Sequence, residues 1–473
     1  MSARSMKRLA PLVLAGALAG CATVPPEAGF PDVQKRLEDR LPQRVAWNRD
    51  SAADADAAQA VATLLAKPLT ADGAVQVALL NNPGLQATYE DLGVAQADLV
   101  QAGLLRNPLL SLASEFPLKG QNSGAEPPKL TFSVVANFLD LLWLPARRKV
   151  AAERFEQVKL TVSAEVLDLA AETRAAYLRH RAALEEARTL DQALEAAQAA
   201  YDLMARLRQA GNVSERRLAT EQAALEDVRA ESLNAAGEVT ATRETLNRLM
   251  GLWGPQARWS VDGDLPPLPP HEPDLTMVEA TVIAGNLKLA AARRATAAKA
   301  AGLGLTDASR LWTDAELGVG GERETDRSLV LGPSLTLALP LFDQGQPAVA
   351  KAEAEYRQEA RRTLQLAVDL RSEAREARDR LVRARDLADH YLHTVLPLQD
   401  RLVRLGMAEY NYMLTSPFEV MAARQARLTA YRHYIDAVRD YWLADGDLIR
   451  LAGGRQTISP SNTPEATQPG GPS

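Results

Sequence analysis

The chain has 473 residues, a formal net charge of −6, 47% hydrophobic residues and only 5% aromatics. That composition excludes a disordered chain, no apolar run reaches the length of a membrane helix, and the acidic balance gives no reason to expect nucleic acid. The single cysteine forbids an internal disulfide, and 5 scattered histidines leave a metal enzyme short of ligands.

Residues 1–20 read as a secretory signal, with Arg4, Lys7 and Arg8 ahead of an apolar run too short to span a bilayer. The run ends Leu18-Ala19-Gly20-Cys21, which resembles the lipobox of bacterial lipoproteins; the alternative is an ordinary cleavage site with a bystander cysteine. The lipobox reading makes Cys21 the acylated first residue of a mature chain, and Ala22 behind it points to the outer membrane. Residues 21–71 then form a lipidated N-terminal segment with short helices. Residues 72–250 are a first repeat, 251–273 a proline-rich linker, 274–450 a second repeat, and 451–473 a disordered tail.

Each repeat follows one order. Asn81-Asn82-Pro83 stops a helix, a second helix follows, and Asn107-Pro108 opens a strand carrying Leu110, Leu112 and Phe116 on one face. A polar Gly/Pro loop over 119–129 returns the chain to a strand over 130–138 with Leu, Phe, Val, Ala and Phe at even positions. Pro145 then matches the first turn of a long helix filling 146–209, which turns at Ala210-Gly211-Asn212-Val213-Ser214. In the second repeat the strands are expected over 311–320 and 329–341, joined by a polar loop at 321–327. Pro347 opens another long helix, which meets a kink at Pro397 and turns at Leu405-Gly406.

Strands of about ten residues have the length of a tilted membrane β-strand, and their aliphatic face alternates with Ser, Thr, Asn and Glu. An open sheet is forbidden in lipid, and four strands fall short of the smallest barrel of about eight. Several copies must therefore share one barrel; a soluble sandwich is the competing arrangement. Helices of some sixty residues rise roughly 90 Å and serve as walls.

The twofold repeat, the Asn-Pro before the first strand and Pro340-Leu341-Phe342-Asp343-Gln344-Gly345 resemble the outer-membrane efflux proteins, the TolC-like ducts, over about residues 30 to 450. The lipobox fits their lipoprotein branch. The resemblance implies an α+β, mostly α fold: two transmembrane strands and a long helical hairpin per repeat, in a homotrimer whose 12-stranded barrel continues into a helical tunnel. It implies a periplasmic adaptor, an inner-membrane pump and outer-membrane lipid as partners, and no cofactor. It also implies that the helix turns dock the adaptor, through Gly211, Asn212, Val213 and Ser214 at the first and Gly406 and Met407 at the second. Where the family shows two acids after the second turn, this chain has Glu419 and then Ala422, so one carboxylate per copy lines the periplasmic aperture; the alternative for Glu419 is a solvated helix-end acid. His390 with His393, and Met407, Met413 and Met421, are the residues that could meet a soft metal, although such side chains serve more often as solvated face and gap-filler. A periplasmic adaptor lipoprotein with coiled-coil hairpins is the other reading. An enzyme is disfavoured by the lack of any Ser/His/Asp or Cys/His set.

Overall fold

The computed structural model describes residues 23–49, 51–115, 128–261, 263–270, 274–312, 315–323 and 328–455. The signal stretch, Cys21, Phe116 and positions 456–473 of the expected tail lie outside the described residues. Among the described residues four helices come first: α1 (Phe30–Glu38), α2 (Ala52–Leu65), α3 (Ala71–Asn81) and α4 (Pro83–Ala102). Strands β1 (Leu109–Glu115) and β2 (Lys129–Asn137) follow, then α5 (Leu139–Gln209) and α6 (Glu215–Met250). The second half gives α7 (Val278–Gly285), α8 (Leu287–Ser309), β3 (Ala315–Arg323), β4 (Leu329–Leu337), α9 (Gln346–His390), α10 (Leu396–Asn411) and α11 (Pro417–Leu451). The order helix, helix, strand, strand, long helix occurs twice among these elements.

Several boundaries differ from expectation for local reasons. Pro145 lies inside α5, not at its start. The Asn137 carboxamide oxygen accepts from the Leu139 amide at 3.0 Å, so the helix begins there and carries the proline in its second turn. Strand β3 starts at Ala315, so the alternating Leu311 and Trp312 precede it, and it runs on through Arg323 into the stretch expected as loop. Strand β4 stops at Leu337, before Pro340. The kink expected at Pro397 is realised as a π turn, Tyr391–Val395, between α9 and α10. Proline offers no N–H to the His393 carbonyl, and a wider turn accommodates the loss.

The chain folds as two compact units that cut across the sequence repeats. The first takes Met1–Asp32, Glu90–Val162 and Lys288–Leu366, and holds the sheet. The second takes Val33–Tyr89, Ser163–Leu287 and Ala367–Ser473. Its core gathers Val77, Ala78, Tyr177, Leu246, Met250 and Trp259, from α3, α5, α6 and the linker. The linker is pinned by Trp259, 4% exposed, whose indole N–H donates to the Asn247 oxygen at 2.8 Å. The Arg243 guanidinium lies 4.2 Å from the centre of the same ring, and the His180 imidazole meets it edge-on at 5.4 Å. His180 is buried, with Nδ1 2.9 Å from the Thr242 hydroxyl oxygen. That hydroxyl donates to the Glu238 carbonyl, so it accepts from a protonated Nδ1. Burial, and then the charge of Arg243, lowers the imidazole pKa to about 4.

One contact recurs between the repeats. Asn82 Nδ2 donates to the Leu249 carbonyl at 2.8 Å, just before Gly251 ends α6 with φ at +66°. Asn286 Nδ2 donates to the Leu451 carbonyl at 3.0 Å, just before Gly453 turns with φ at +72°. In both places an asparagine that ends a short helix satisfies an orphan carbonyl at the end of the long return helix. Arg40 reinforces the second, donating to the Gly285 and Gly453 carbonyls at 3.0 and 2.6 Å. Leu451 and Ala452, placed in the tail by the sequence reading, are consequently buried.

Candidate functional site

The sheet runs β1-β2-β3-β4, antiparallel throughout. Its register puts Leu112 opposite Phe132, Phe132 opposite Gly321, and Gly321 opposite Leu331. Stepping two residues at a time, Leu110, Val134, Val319 and Pro333 share that face, and Leu317 with Leu335 continues it. The other face carries Ser111, Ser133, Gly320 and Gly332 in one row, and Asn137, Glu316 and Thr336 in another. The aliphatic pattern read from four separate segments therefore assembles into one continuous apolar face.

That face is the exposed one. Along β2 the even, apolar positions are exposed, whereas Thr131, Ser133 and Asn137 are half-buried. In β3 Leu317 and Val319 are exposed while Gly318 is buried. Every residue of β4 is exposed, with Leu335 at 65%. A sheet in water buries its apolar side, so this one is turned inside out. Charges gather at one end of the polar face: Lys129 lies opposite Glu115 on β1 and forms an ion pair with Glu322 on β3. Among the described residues, β1 and β4 each leave one edge without a strand.

The helix turns belong to the second unit. At the first, Gly211 takes φ +76° and nothing lies within 4 Å of where a Cβ would sit. Asn212 N–H donates to the Leu207 carbonyl at 2.9 Å, and the Ser214 hydroxyl caps α6 by accepting from the Arg217 amide at 3.3 Å. Arg208 and Glu215 pair across the turn at 3.1 Å. Val213 sits between these caps, so Gly211, Asn212, Val213 and Ser214 form one tight, solvent-facing turn.

The second turn lies later than expected. Gly406 and Met407 are helical, within α10, and the reversal falls at 412–416. A Cβ on Gly406 would sit 3.7 Å from Val420 Cγ2, so this glycine marks a close approach of α10 to α11. The turn is closed by Met413, at φ +58°, with the Leu414 amide donating to the Glu409 carbonyl at 2.9 Å. Tyr412, Met413 and Leu414 are all exposed.

Glu419 lies in the first turn of α11, three residues past the N-cap Ser416, and the Thr415 hydroxyl donates to its carboxylate. The carboxylate thus faces the positive end of the helix dipole and remains exposed. Beside it, Phe418 stacks under the Arg217 guanidinium at 3.9 Å, joining the two turns. The sequence reading missed this pair, because nothing in the spacing of Arg217 and Phe418 brings them together. Among the described residues no group of three His, Cys, Asp or Glu side chains forms a metal site. His390 ends α9, His393 falls in the π turn, and Met407 accepts a 3.7 Å contact from Arg424.

These features have counterparts. Residues 74–252 match the family described as outer membrane efflux protein. Residues 74–252 thus form an outer membrane efflux protein domain. A curated relative is the cobalt-zinc-cadmium resistance protein CzcC of Cupriavidus metallidurans, 24% identical over 396 residues, which span 82% of this chain and 91% of that protein. Among solved structures, the outer membrane protein VceC of Vibrio cholerae superposes with a TM-score of 0.66 at 18% identity, covering 81% of this chain and 96% of its own. The open-state MtrE outer membrane channel of Neisseria gonorrhoeae gives 0.67 at 16% identity, covering 81% and 88%. The chain therefore shares with those structures a mostly helical fold carrying a small antiparallel sheet.

Proposed function

We propose that this chain is the exit duct of a tripartite efflux system. The observation that carries the reading is the inside-out sheet whose two edges carry no further strand among the described residues. Lipid tolerates an exposed aliphatic face but no unpaired edge, and four strands are too few to close alone. Three copies joining β4 of one to β1 of the next give twelve strands around a polar lumen. Helix α5, at 71 residues, rises about 105 Å and makes a tunnel wall that reaches into the periplasm.

In this reading Cys21 is acylated and adds a lipid anchor to the barrel in the outer membrane. The turn at Gly211, Asn212, Val213 and Ser214 and the turn at 412–416, with Gly406 and Met407 on its flank, dock a periplasmic adaptor. An inner-membrane pump supplies the energy, and Glu419 from each copy lines the aperture. The likeness to the cobalt-zinc-cadmium resistance protein of Cupriavidus metallidurans favours a transition-metal cation as cargo, moved as substrate and not held as a resident ion.

The test is the mass of the full chain extracted from outer-membrane fractions, measured by light scattering, with conductance recorded in planar bilayers. A trimer that conducts is expected. A monomeric, water-soluble product overturns the reading, and mass spectrometry showing an unmodified mature N-terminus removes the anchor.

A further inference from the structure

In the first unit the sheet sets the order of the helices joined to it. With β1-β2-β3-β4 side by side, α4, α5, α8 and α9 stand in that sequence. Contacts agree with it. Arg147 of α5 donates to the Leu104 carbonyl just past α4 at 3.5 Å, and Glu153 of α5 pairs with Arg294 of α8 at 3.0 Å. Thr296 of α8 meets Thr363 of α9 at 2.9 Å. A cleft of about 1020 Å³ touches three of these neighbours at once, through Asp98 on α4, Arg147 and Arg154 on α5, and Lys299 on α8. Three helices in a row share one hollow only on the concave side of their wall, since on the convex side α4 and α8 lean apart.

The charge of this cleft is one-sided. Arg106, Arg147, Arg154 and Lys299 line it, against the single carboxylate of Asp98 among the described residues. Nearby acids are already engaged. Asp140 serves both Arg106 and Arg147, at 3.4 and 3.0 Å. Glu355 accepts from Lys299 at 2.9 Å, and that bond is the main reason its carboxyl titrates below the usual range. Arg154 is exposed and makes no ion pair among the described residues. The Nε of Arg147 is buried and has no acceptor there. A buried donor left unmatched is destabilising, and an oxygen brought by a ligand removes that loss. A concave wall of one sign also focuses its field on the space it encloses.

We propose that this cleft is an oxyanion site, taking an ion of the phosphate or sulfate class against Arg147, Arg154 and Lys299. Arg147 and Arg154 are seven residues apart on α5, two turns and about 10 Å along one face, so their forks flank a common space. A guanidinium fork matches two oxygens of a tetrahedral anion, which a metal cation or a neutral solute does not offer. The site needs only the first unit. That its concave side is a channel lumen rests on the duct proposed above.

Inorganic phosphate is the probe, titrated into the full chain in a maltoside detergent at low salt, with its phosphorus resonance followed by line width. Saturable broadening is expected. Arg154→Gln should weaken the binding severalfold, and Asp98→Asn, which removes the opposing carboxylate, should strengthen it. Both positions are exposed, and circular dichroism checks that each variant keeps its helix content. No broadening in the parent chain, binding unchanged in Arg154→Gln, or binding not strengthened in Asp98→Asn overturns the site. Planar bilayers separate the site from the duct. A conducting trimer whose reversal potential moves toward cations in Arg154→Gln supports both. An unmoved potential, with phosphate binding lowered, removes the lumen placement alone. A chain that binds phosphate yet never forms a conducting trimer sinks the duct and leaves the site standing.

Discussion

The sheet of the first unit and the core of the second use the same aliphatic residues in opposite ways. In the second unit, Val77, Ala78 and Leu246 are fully buried and the polar atoms around them are matched: Asn to carbonyl, Trp to Asn, His to Thr. In the sheet, Leu331 and Leu335 are as apolar and largely exposed. The difference lies in who completes the structure. The second unit finishes its apolar faces within the chain, so its stability is intramolecular. The sheet leaves its own unfinished, and its free energy must come from surroundings that accept hydrocarbon and supply strand edges.

The contrast breaks first under charge. Leu335→Arg puts a cation on the apolar face at a cost of about 2–4 kcal/mol per site, incurred in every copy, so the proposed trimer should vanish from native gels. Thr336→Arg, on the polar face, should leave it. Equal loss in both means that the faces are wrongly assigned. Trp259→Ala should do the reverse: a loss of about 3–5 kcal/mol in the second unit, seen as a lower helix-melting temperature, with the trimer still forming.

Acid probes the second unit more gently. The His180 pKa is depressed from 6.5 to about 4, so the folded ring stays neutral where the unfolded ring takes up a proton. Stability is therefore full above about pH 6.5 and falls as pH drops toward 4, by on the order of 3 kcal/mol in all. His180→Gln should flatten that dependence in denaturant titrations at stepped pH. A slope retained in the variant assigns the proton elsewhere.

The smallest effect is expected at Glu419, the residue proposed to line the aperture. Glu419→Gln removes one carboxylate per copy and should reduce cation preference at low salt without loss of trimer. The difference should fade near 1 M salt, where the Debye length is about 3 Å. An unchanged reversal potential leaves Glu419 as a helix-end acid held by Thr415.

Alternation was enough to read three of the strands and the apolar face, because a period of two is a property of the residues themselves. It failed at β3, where Leu311 and Trp312 alternate like strand residues but belong to the junction. Glycine and proline misled twice for the same reason: each signals a break only when nothing compensates. Gly406 stays helical because Val420 packs against it, and Pro145 stays helical because Asn137 starts α5 ahead of it. Partners distant in sequence, such as Arg217 with Phe418 or Asn286 with Leu451, leave no periodic trace, and only the fold reveals them.

The π turn at Tyr391–Val395 has an effect on phase. Leu370, Ala374, Ala377, Leu381, Ala384 and Ala388 form a buried row on α9, spaced alternately by four and three. Counted onward at the same spacing, the row continues through Tyr391 and Val395 to Leu398, Leu402 and Leu405. By sequence the stripe never breaks. By geometry it does, since one extra residue in a turn rotates everything downstream by about 100°. Leu398, Leu402 and Leu405 are exposed, and α10 buries none of its residues. A single altered turn thus converts a seam closed within the chain into an exposed aliphatic ridge on α10.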